Sequence, residues 1–506
     1  MRTFNKFNIP NCGNIFPPKS NDTSTINVSS NLKTSYTSTI TNVIMNNYTS
    51  DNTKPPVFIG REKIKECLDN SKKQADFSSS ESSLFLRGAD FVYVPNKAIS
   101  LLTKRLKNKE LQKVHEDRNT AIDLVMIFLS FLSDTYFREL DSGINTKQLS
   151  AKYLQKTFQR VTNYKSIIHL LGKPFNSGLL IECDNKYIPG LKCFGFKLGD
   201  NYRAKGLEKY YFMSDLGKQV YQKYLDDIYV ENEKNIIVKN LLAIYPKLEL
   251  PTVEGIKEKA KILIKVGYSK KGKNLSFENN NRARDIRNGL NKTYVEDAIF
   301  RFEYLTAGGL RVPRAGGENS GGRVCDSFTL MDRWIRDMIS IDGENLVECD
   351  YTCLHPNIAI SIYGGKHNYL THEFIASELN EDVSKIKTEH LSFFNKAISG
   401  QQSENGDGGS MSHSILFDYY SKNESQMMEN LMNDKNANGY KITTQKLFSK
   451  EVEIMTSVIK LLNRQGIYVL YVYDALYCLE RDKKRVVKLM NQEVLKYGVF
   501  TQVKTK

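Results

Sequence analysis

The chain has 506 residues and a formal net charge of +15, with 72 Lys and Arg against 57 Asp and Glu. That length allows two to four domains and a large core, and the excess of cations points to a polyanionic partner, most often nucleic acid, over mere solubility. The composition argues against a disulfide-stapled or membrane-spanning protein. The eight cysteines, Cys12, Cys67, Cys183, Cys193, Cys325, Cys349, Cys353 and Cys478, form no CxxC pair and read as reduced thiols of a cytoplasmic-type compartment. The opening MRTFNKFNIPNCG carries no apolar signal core. The longest apolar run, 124–132, falls short of the roughly 20 residues a span needs.

In chain order, residues 1–55 are rich in Ser, Thr and Asn and read as a disordered tail. Helical patterns fill 56–140, AIDLVMIFLSFLSDTYF being the clearest. Residues 145–203 give a short helix, a polar turn, a basic helix and two strands at 179–183 and 194–198, with a Gly/Pro-bearing hairpin, NKYIPGLK, between them. This order resembles a winged-helix domain. Lys152, Lys156, Arg160 and Lys165 would line its recognition helix, and Lys186 and Lys192 its wing, where cations meet phosphates. A protein-contact surface or a solvated face is the other use of the same charges. Residues 206–305 read as polar helices, thumb-like by position. Their basic stretches SKKGK (Lys270, Lys271, Lys273) and NRARDIR (Arg282, Arg284, Arg287) either track a phosphate backbone or face solvent.

The chemistry lies in 306–506. NLVECDYTCLHPNIAISIYGG, 345–365, is a strand pattern ending at Asp350 and followed at once by a helix pattern. An unpaired carboxylate at a buried strand end is expensive, and a metal ion is one common reason for it. LFSKEVEIMTSVIKLLNRQGIYVLYVYDALYCLE, 447–480, repeats the design. Leu447, Phe448, Val452, Met455, Val458, Ile459 and Leu462 make one apolar helical stripe, and Gly466 suits the helix end. A buried strand at 467–473 and its return at 477–479 then leave Asp474 at a tight turn. Taken singly, Asp350 is an N-cap and Asp474 a turn residue. Taken together they are two aspartates on neighbouring strands, able to share two divalent cations in phosphoryl transfer.

With these blocks in order, 308–506 resembles the palm and fingers of the family A nucleic-acid polymerases. These are the bacterial DNA polymerase I type, related to the single-subunit phage RNA polymerases, and the likeness suggests a divergent phage- or plasmid-type branch. GGRVCDSFTLMDRWIRDMISIDGE is similar to the family's Thr-Gly-Arg block. Arg323 matches the arginine at the primer–template backbone, and Arg336 or Arg333 the later one. DYTCLHP looks like motif A, Asp-Tyr-Ser-x-x-Glu. Asp350 matches its metal-binding aspartate, and Tyr351 the residue whose backbone carbonyl also reaches metal. His355 stands where DNA polymerases of the family carry a glutamate that excludes the ribose 2′-hydroxyl; its other reading is a cap on a helix beginning at Pro356. KIKTEHLSFFNKAISG sits at motif B. Lys387 matches the lysine at the incoming triphosphate, Asn395 falls where the family has tyrosine, and Val383 replaces an arginine. A shifted register would put Lys387 on that arginine, with Lys385 and Lys396 as spare candidates. YVYDALYCLE resembles motif C. Asp474 matches its second metal aspartate, Tyr473 replaces histidine, and Ala475 replaces the neighbouring acid.

The resemblance implies an α+β fold, a polymerase right hand of palm, fingers and thumb behind a winged-helix-like domain and a disordered tail. It implies a cytoplasmic DNA polymerase, a nucleotidyltransferase of a phage, plasmid or mobile element. Asp350 and Asp474 would hold two Mg2+ ions, with Mn2+ as a substitute. The partners implied are a DNA primer–template and nucleoside triphosphates, with no membrane. His355 keeps an RNA polymerase or primase on the same palm open. Val383 and Ala475 keep open a DNA-binding replication protein without catalysis. RAGGENSGGR would allow close backbone approach to nucleic acid, TAGGL reads as a plain loop, and GQQSENGDGGSMS (400–412) as a mobile insertion.

Overall fold

In the computed structural model the described residues are 86–105, 107–137, 146–158, 161–172, 174–175, 178–184, 193–199, 206–270, 273–277, 292–398 and 410–506. All belong to one unit, Lys72–Lys506. The expected tail at 1–55 lies outside them, as do Arg160, Lys186, Lys192, Lys271, Arg282, Arg284, Arg287 and most of the insertion at 400–412.

Within 56–140, expected to be helical, FVYVP forms a strand, β1 (Phe91–Pro95). Its β-branched and aromatic side chains suit a buried pleat better than a helix surface. Helix α1 (Arg118–Leu132) follows, started by Asp117, whose carboxylate accepts from the Thr120 N–H. Among the described residues, Arg118–Phe137 is the one stretch long and apolar enough to cross a membrane by length and composition, and most of it is buried within the protein.

Next come β2 (Lys147–Gln148), α2 (Ala151–Phe158), α3 (Tyr164–Leu171), β3 (Ile181–Cys183) and β4 (Gly195–Leu198). β4 lies between β2 and β3 in an antiparallel sheet, and α1 packs on α3 and β4. The basic residues read as one helix are divided: Lys152 and Lys156 lie on α2, Lys165 at the start of α3. Asn163 sets the break, its side chain accepting from the Lys165 N–H at 3.0 Å.

The stretch 206–305 opens not on a helix but on β5 (Leu207–Tyr211), which pairs antiparallel with β1. Helix α4 (Asp215–Asn232), α5 (Ile236–Ile244), the short β6 (Leu248–Glu249), α6 (Val253–Lys265) and α7 (Val295–Thr306) follow. Ser214, Asn235 and Thr252 cap α4, α5 and α6 through their side chains.

The central sheet is antiparallel and runs β9 (Leu470–Val472), β10 (Ala475–Leu479), β8 (Glu344–Tyr351), β7 (Ser340–Ile341), β6, with β11 (Val503–Thr505) beside the last residues of β8. Helices α8 (Leu354–Tyr363), α9 (His372–Leu379), α10 (Val383–Phe393), α11 (Ser425–Asn438) and α12 (Ile442–Asn463) fill the long connection from β8 to β9. Helix α13 (Lys483–Lys496) links β10 to β11 and packs on the sheet. Alternation along β8 turns Cys349 and Tyr351 inward and Glu348 and Asp350 to the opposite face. The Tyr351 hydroxyl donates to the Met490 carbonyl of α13 at 2.7 Å.

Just past α1, Asp134 accepts from Lys147 at 3.1 Å, the Tyr304 hydroxyl at 2.7 Å and Arg311 at 3.0 Å, tying α1 to β2 and α7. Burial pushes this carboxyl up, but the Arg311 and Lys147 charges outweigh it and hold it well below the usual carboxylate range. Asp134→Asn should cost about 2 kcal/mol at neutral pH, because three donors lose a charged acceptor. A depressed carboxyl stabilises above its unfolded pKa of about 3.9 and loses that contribution as pH falls through the folded value. Thermal unfolding curves of the two proteins should therefore converge at acid pH.

Candidate active site

β8 and β10 pair with Asp350 opposite Ala475, and the Tyr351 N–H donates to the Asp474 carbonyl at 3.3 Å. Two aspartates thus end neighbouring strands. Only Tyr473 and Asp474 separate β9 from β10. Tyr473 takes φ 57°, a left-handed backbone that costs a non-glycine residue on the order of 1 kcal/mol. The Asp474 carboxyl is pushed up to about 7, by burial first and then by the negative charges of Glu451 and Asp350. Burial also raises Asp350, against the pull of Lys506, whose Nζ lies 3.1 Å away. Among the described residues no cation forms an ion pair with Asp474.

Beside this pair lies a cluster around Glu451, whose side chain is fully buried. The Arg323 Nε donates to Glu451 Oε1 at 2.8 Å, and its Nη2 donates to Oε2. His355 Nε2 lies 2.7 Å from Glu451 Oε2 and 3.1 Å from Arg323 Nη2. Burial pushes the Glu451 carboxyl up, but the hydrogen bond and charge of His355 and the Arg323 guanidinium outweigh it and leave it below its usual range. The guanidinium lies 3.4 Å from the Phe448 ring centroid and 4.7 Å from that of Tyr473. Its Nη1 has no partner among the described residues and keeps two donors for a ligand.

Gly321 makes the approach possible. At φ 60°, a Cβ there would sit 2.4 Å from the Ser449 nitrogen and 2.5 Å from Phe448, so the loop carrying Arg323 lies directly on α12. At Gly321 the close approach is therefore to the protein's own helix. Gly309 in TAGGL is likewise no plain loop residue: a Cβ there would meet the Leu86 carbonyl carbon at 2.6 Å, beside the bridge of Leu86 to Leu310.

The remaining predicted residues divide. His355 is the second residue of α8, whose N-cap position is Cys353, so it does not cap the helix. Tyr351 offers only its backbone, since its ring is buried against α13. Arg333 pairs with Glu348, which also accepts from the Tyr477 hydroxyl at 3.1 Å. Arg336 stacks 5.5 Å from the Phe328 ring and 5.8 Å from that of Tyr477. Both arginines serve the β8–β10 sheet. Lys387, on α10, lies 3.5 Å from Glu373 and is half exposed. Asn395 lies beyond the end of α10 and is exposed. Lys385 and Lys396 pair with Glu381 and Glu389. Lys156 pairs with Asp227 and Glu231 of α4. Two functional candidates went unread. Glu451 falls on the buried stripe of α12 with Leu447, Ile454, Met455 and Val458; a charge in an apolar stripe was its signal. Lys506 is placed by strand pairing alone, which has no local signature.

Among the described residues no three His, Cys, Asp or Glu side chains converge as a metal cluster. The donors offered are the Asp350 and Asp474 carboxylates. A pair fits a hard divalent cation that keeps waters and substrate phosphates as its other ligands, and the crowded charge on Asp474 is what such a cation would relieve.

No protein-family model and no curated protein matches the chain. Among solved structures it is similar to the POL domain of Pol1 from M. smegmatis, in complex with DNA primer-template and dNTP. The TM-score is 0.32 and the identity 10%, over 56% of this chain and 65% of that one. A likeness of that size carries no weight for fold or chemistry, and the site stands on its own geometry.

Since the folded Asp474 carboxyl lies near 7 and the unfolded one at about 3.9, its ionised form weakens the fold. The penalty is full above pH about 7 and vanishes as pH falls toward 4. In metal-free buffer, Asp474→Asn should be more stable than the native protein by about 2 kcal/mol at pH 8. Their unfolding curves should meet near pH 4.

Proposed function

We propose that the chain is a nucleotidyltransferase that extends a primer 3′-hydroxyl on a template, a DNA polymerase of the family A type. The observation that carries this reading is the placement of Asp350 and Asp474 at neighbouring strand ends, with the Asp474 carboxyl pushed up to about 7 by burial first and then by the charges of Glu451 and Asp350. Divalent cations held by the pair, Mg2+ or Mn2+, would supply activation of the attacking oxygen and stabilisation of the leaving pyrophosphate.

The chain's own residues would do the positioning that phosphoryl transfer needs. Arg323, immobilised between two rings and a carboxylate, would present Nη1 to a backbone phosphate. Lys387 would leave Glu373 for the triphosphate. His355, fixed by Glu451, would stand against the sugar of the incoming nucleotide. The set α1–β2–α2–α3–β3–β4 would act as a winged helix, with Lys165 at the start of α3 exposed to duplex phosphates. Replication of a phage, plasmid or mobile element is the role inferred, and it rests on the sequence resemblance. A second reading, RNA synthesis by an RNA polymerase or primase, is supported by His355, which the sequence resemblance aligns with the sugar-excluding glutamate and which Glu451 holds in place.

Extension of a labelled primer on a DNA template, with dNTPs or NTPs and with Mg2+ or Mn2+, tests both readings. Template-dependent products are expected with dNTPs. Asp350→Asn and Asp474→Asn should lose them by about 1000-fold or more while DNA binding persists. Products with NTPs alone would select the second reading. No synthesis with either, and intact DNA binding, would leave a DNA-binding replication protein without catalysis.

A further inference from the structure

β11 runs antiparallel to β8 with Lys504 opposite Asp350. One step on, the Lys506 N–H donates to the Glu348 carbonyl at 3.1 Å. Residues opposite each other in an antiparallel pair project to the same face, so Lys504 and Lys506 share the face of Asp350 and Glu348. On the other side of β8 that face carries Ala475 and Tyr477. The Lys506 ammonium lies 3.1 Å from Asp350 Oδ2 and 3.5 Å from Glu348 Oε2. Glu348 has further partners in Arg333 and the Tyr477 hydroxyl. Asp350 has one ion pair among the described residues, and it is Lys506.

We propose that Lys506 is an internal counter-ion for Asp350, occupying the place of positive charge at this carboxylate until a divalent cation displaces it. The inference rests on the reading of Asp350 as a metal ligand and adds a regulation of that site. Its chemistry is simple competition. An ammonium and a divalent cation cannot both claim the same oxygen, so binding of the cation and release of Lys506 are linked, each opposing the other. The Lys506 side chain is 41% exposed, and a pair this open to water is weak and screened by salt. It lowers affinity for the cation without blocking it. The metal-free protein is thereby spared a bare Asp350 next to the crowded Asp474.

Mn2+ binding to the full chain without nucleotide, read from the free-ion electron paramagnetic resonance signal, tests the competition. Lys506→Met should bind Mn2+ roughly 2- to 5-fold more tightly than the native protein, and added salt should narrow the gap. Lys504→Met removes the same charge from the neighbouring position, where no ion pair is made among the described residues, and should give a smaller gain. Equal affinity in Lys506→Met and the native protein, or an equal gain from Lys504→Met, overturns the inference and leaves the metal site standing. Failure of all these proteins to bind Mn2+, with Asp350→Asn no different, removes the metal reading and this inference with it.

Discussion

The antiparallel pairing of Glu344–Tyr351 with Ala475–Leu479 is the constraint on which the site depends. Side chains alternate between faces, so a slip of one residue would carry Asp350 to the face packed on α13 and bring Tyr351 out. Several contacts oppose that slip. Tyr351 is tied by its hydroxyl to the Met490 carbonyl. Cys349 and Cys478 pack with sulfurs 3.9 Å apart on the buried face. On the opposite face Glu348 is bonded to Tyr477 and Arg333. The turn between β9 and β10 is two residues long, which leaves no slack for the hairpin carrying Asp474.

Glu451 does for the neighbouring residues what this register does for the aspartates. A fully buried carboxylate is costly unless paired and hydrogen-bonded, and here Arg323 and His355 meet that need. Such an ion cluster says little about net stability, because burying the charges offsets much of their attraction. Its effect is orientation. The loop at 321–323, the start of α8, the middle of α12 and the tip of the β9–β10 hairpin meet at one carboxylate and one guanidinium plane. The left-handed backbone of Tyr473 belongs to the same arrangement, since it accompanies the placement of that ring beside Arg323.

Much of this centre was legible in the sequence because its signals are local. A strand pattern ending in one aspartate, and an apolar helix running into a hairpin with one aspartate at its tip, are each contained within some thirty residues. The structure shortens the predicted strand at 467–473 to Leu470–Val472 but keeps Asp474 in the turn. What escaped was set by pairing across long separations. FVYVP becomes a strand through Leu207–Tyr211. Lys506 meets Asp350 through a strand whose three residues carry no pattern of their own. Arg333 and Arg336 have the right residue type for phosphate, yet a buried acid and two aromatic rings engage them first. The basic run at 152–165 reads as one helix only if the capping power of Asn163 is ignored. Glu451 was legible in principle, because an apolar stripe does not bury a carboxylate without a partner.

The charges around the pair explain why Ala475, small and neutral, sits opposite Asp350. Four acids influence one another around it: Glu348 and Asp350 on one face of β8, and Glu451 and Asp474 beside them. Arg333 pairs with Glu348, Lys506 with Asp350 and Arg323 with Glu451. Those pairings leave Asp474 without an ion pair among the described residues, and burial with the charges of Glu451 and Asp350 pushes its carboxyl up to about 7. An acid at 475 would bury a further negative charge directly opposite Asp350. It would also raise its neighbours by the like-charge repulsion that already acts between Asp350 and Asp474. Alanine adds no charge beside the pair and leaves Asp474 as the acid without an ion pair, the one that a divalent cation carrying its own waters would relieve.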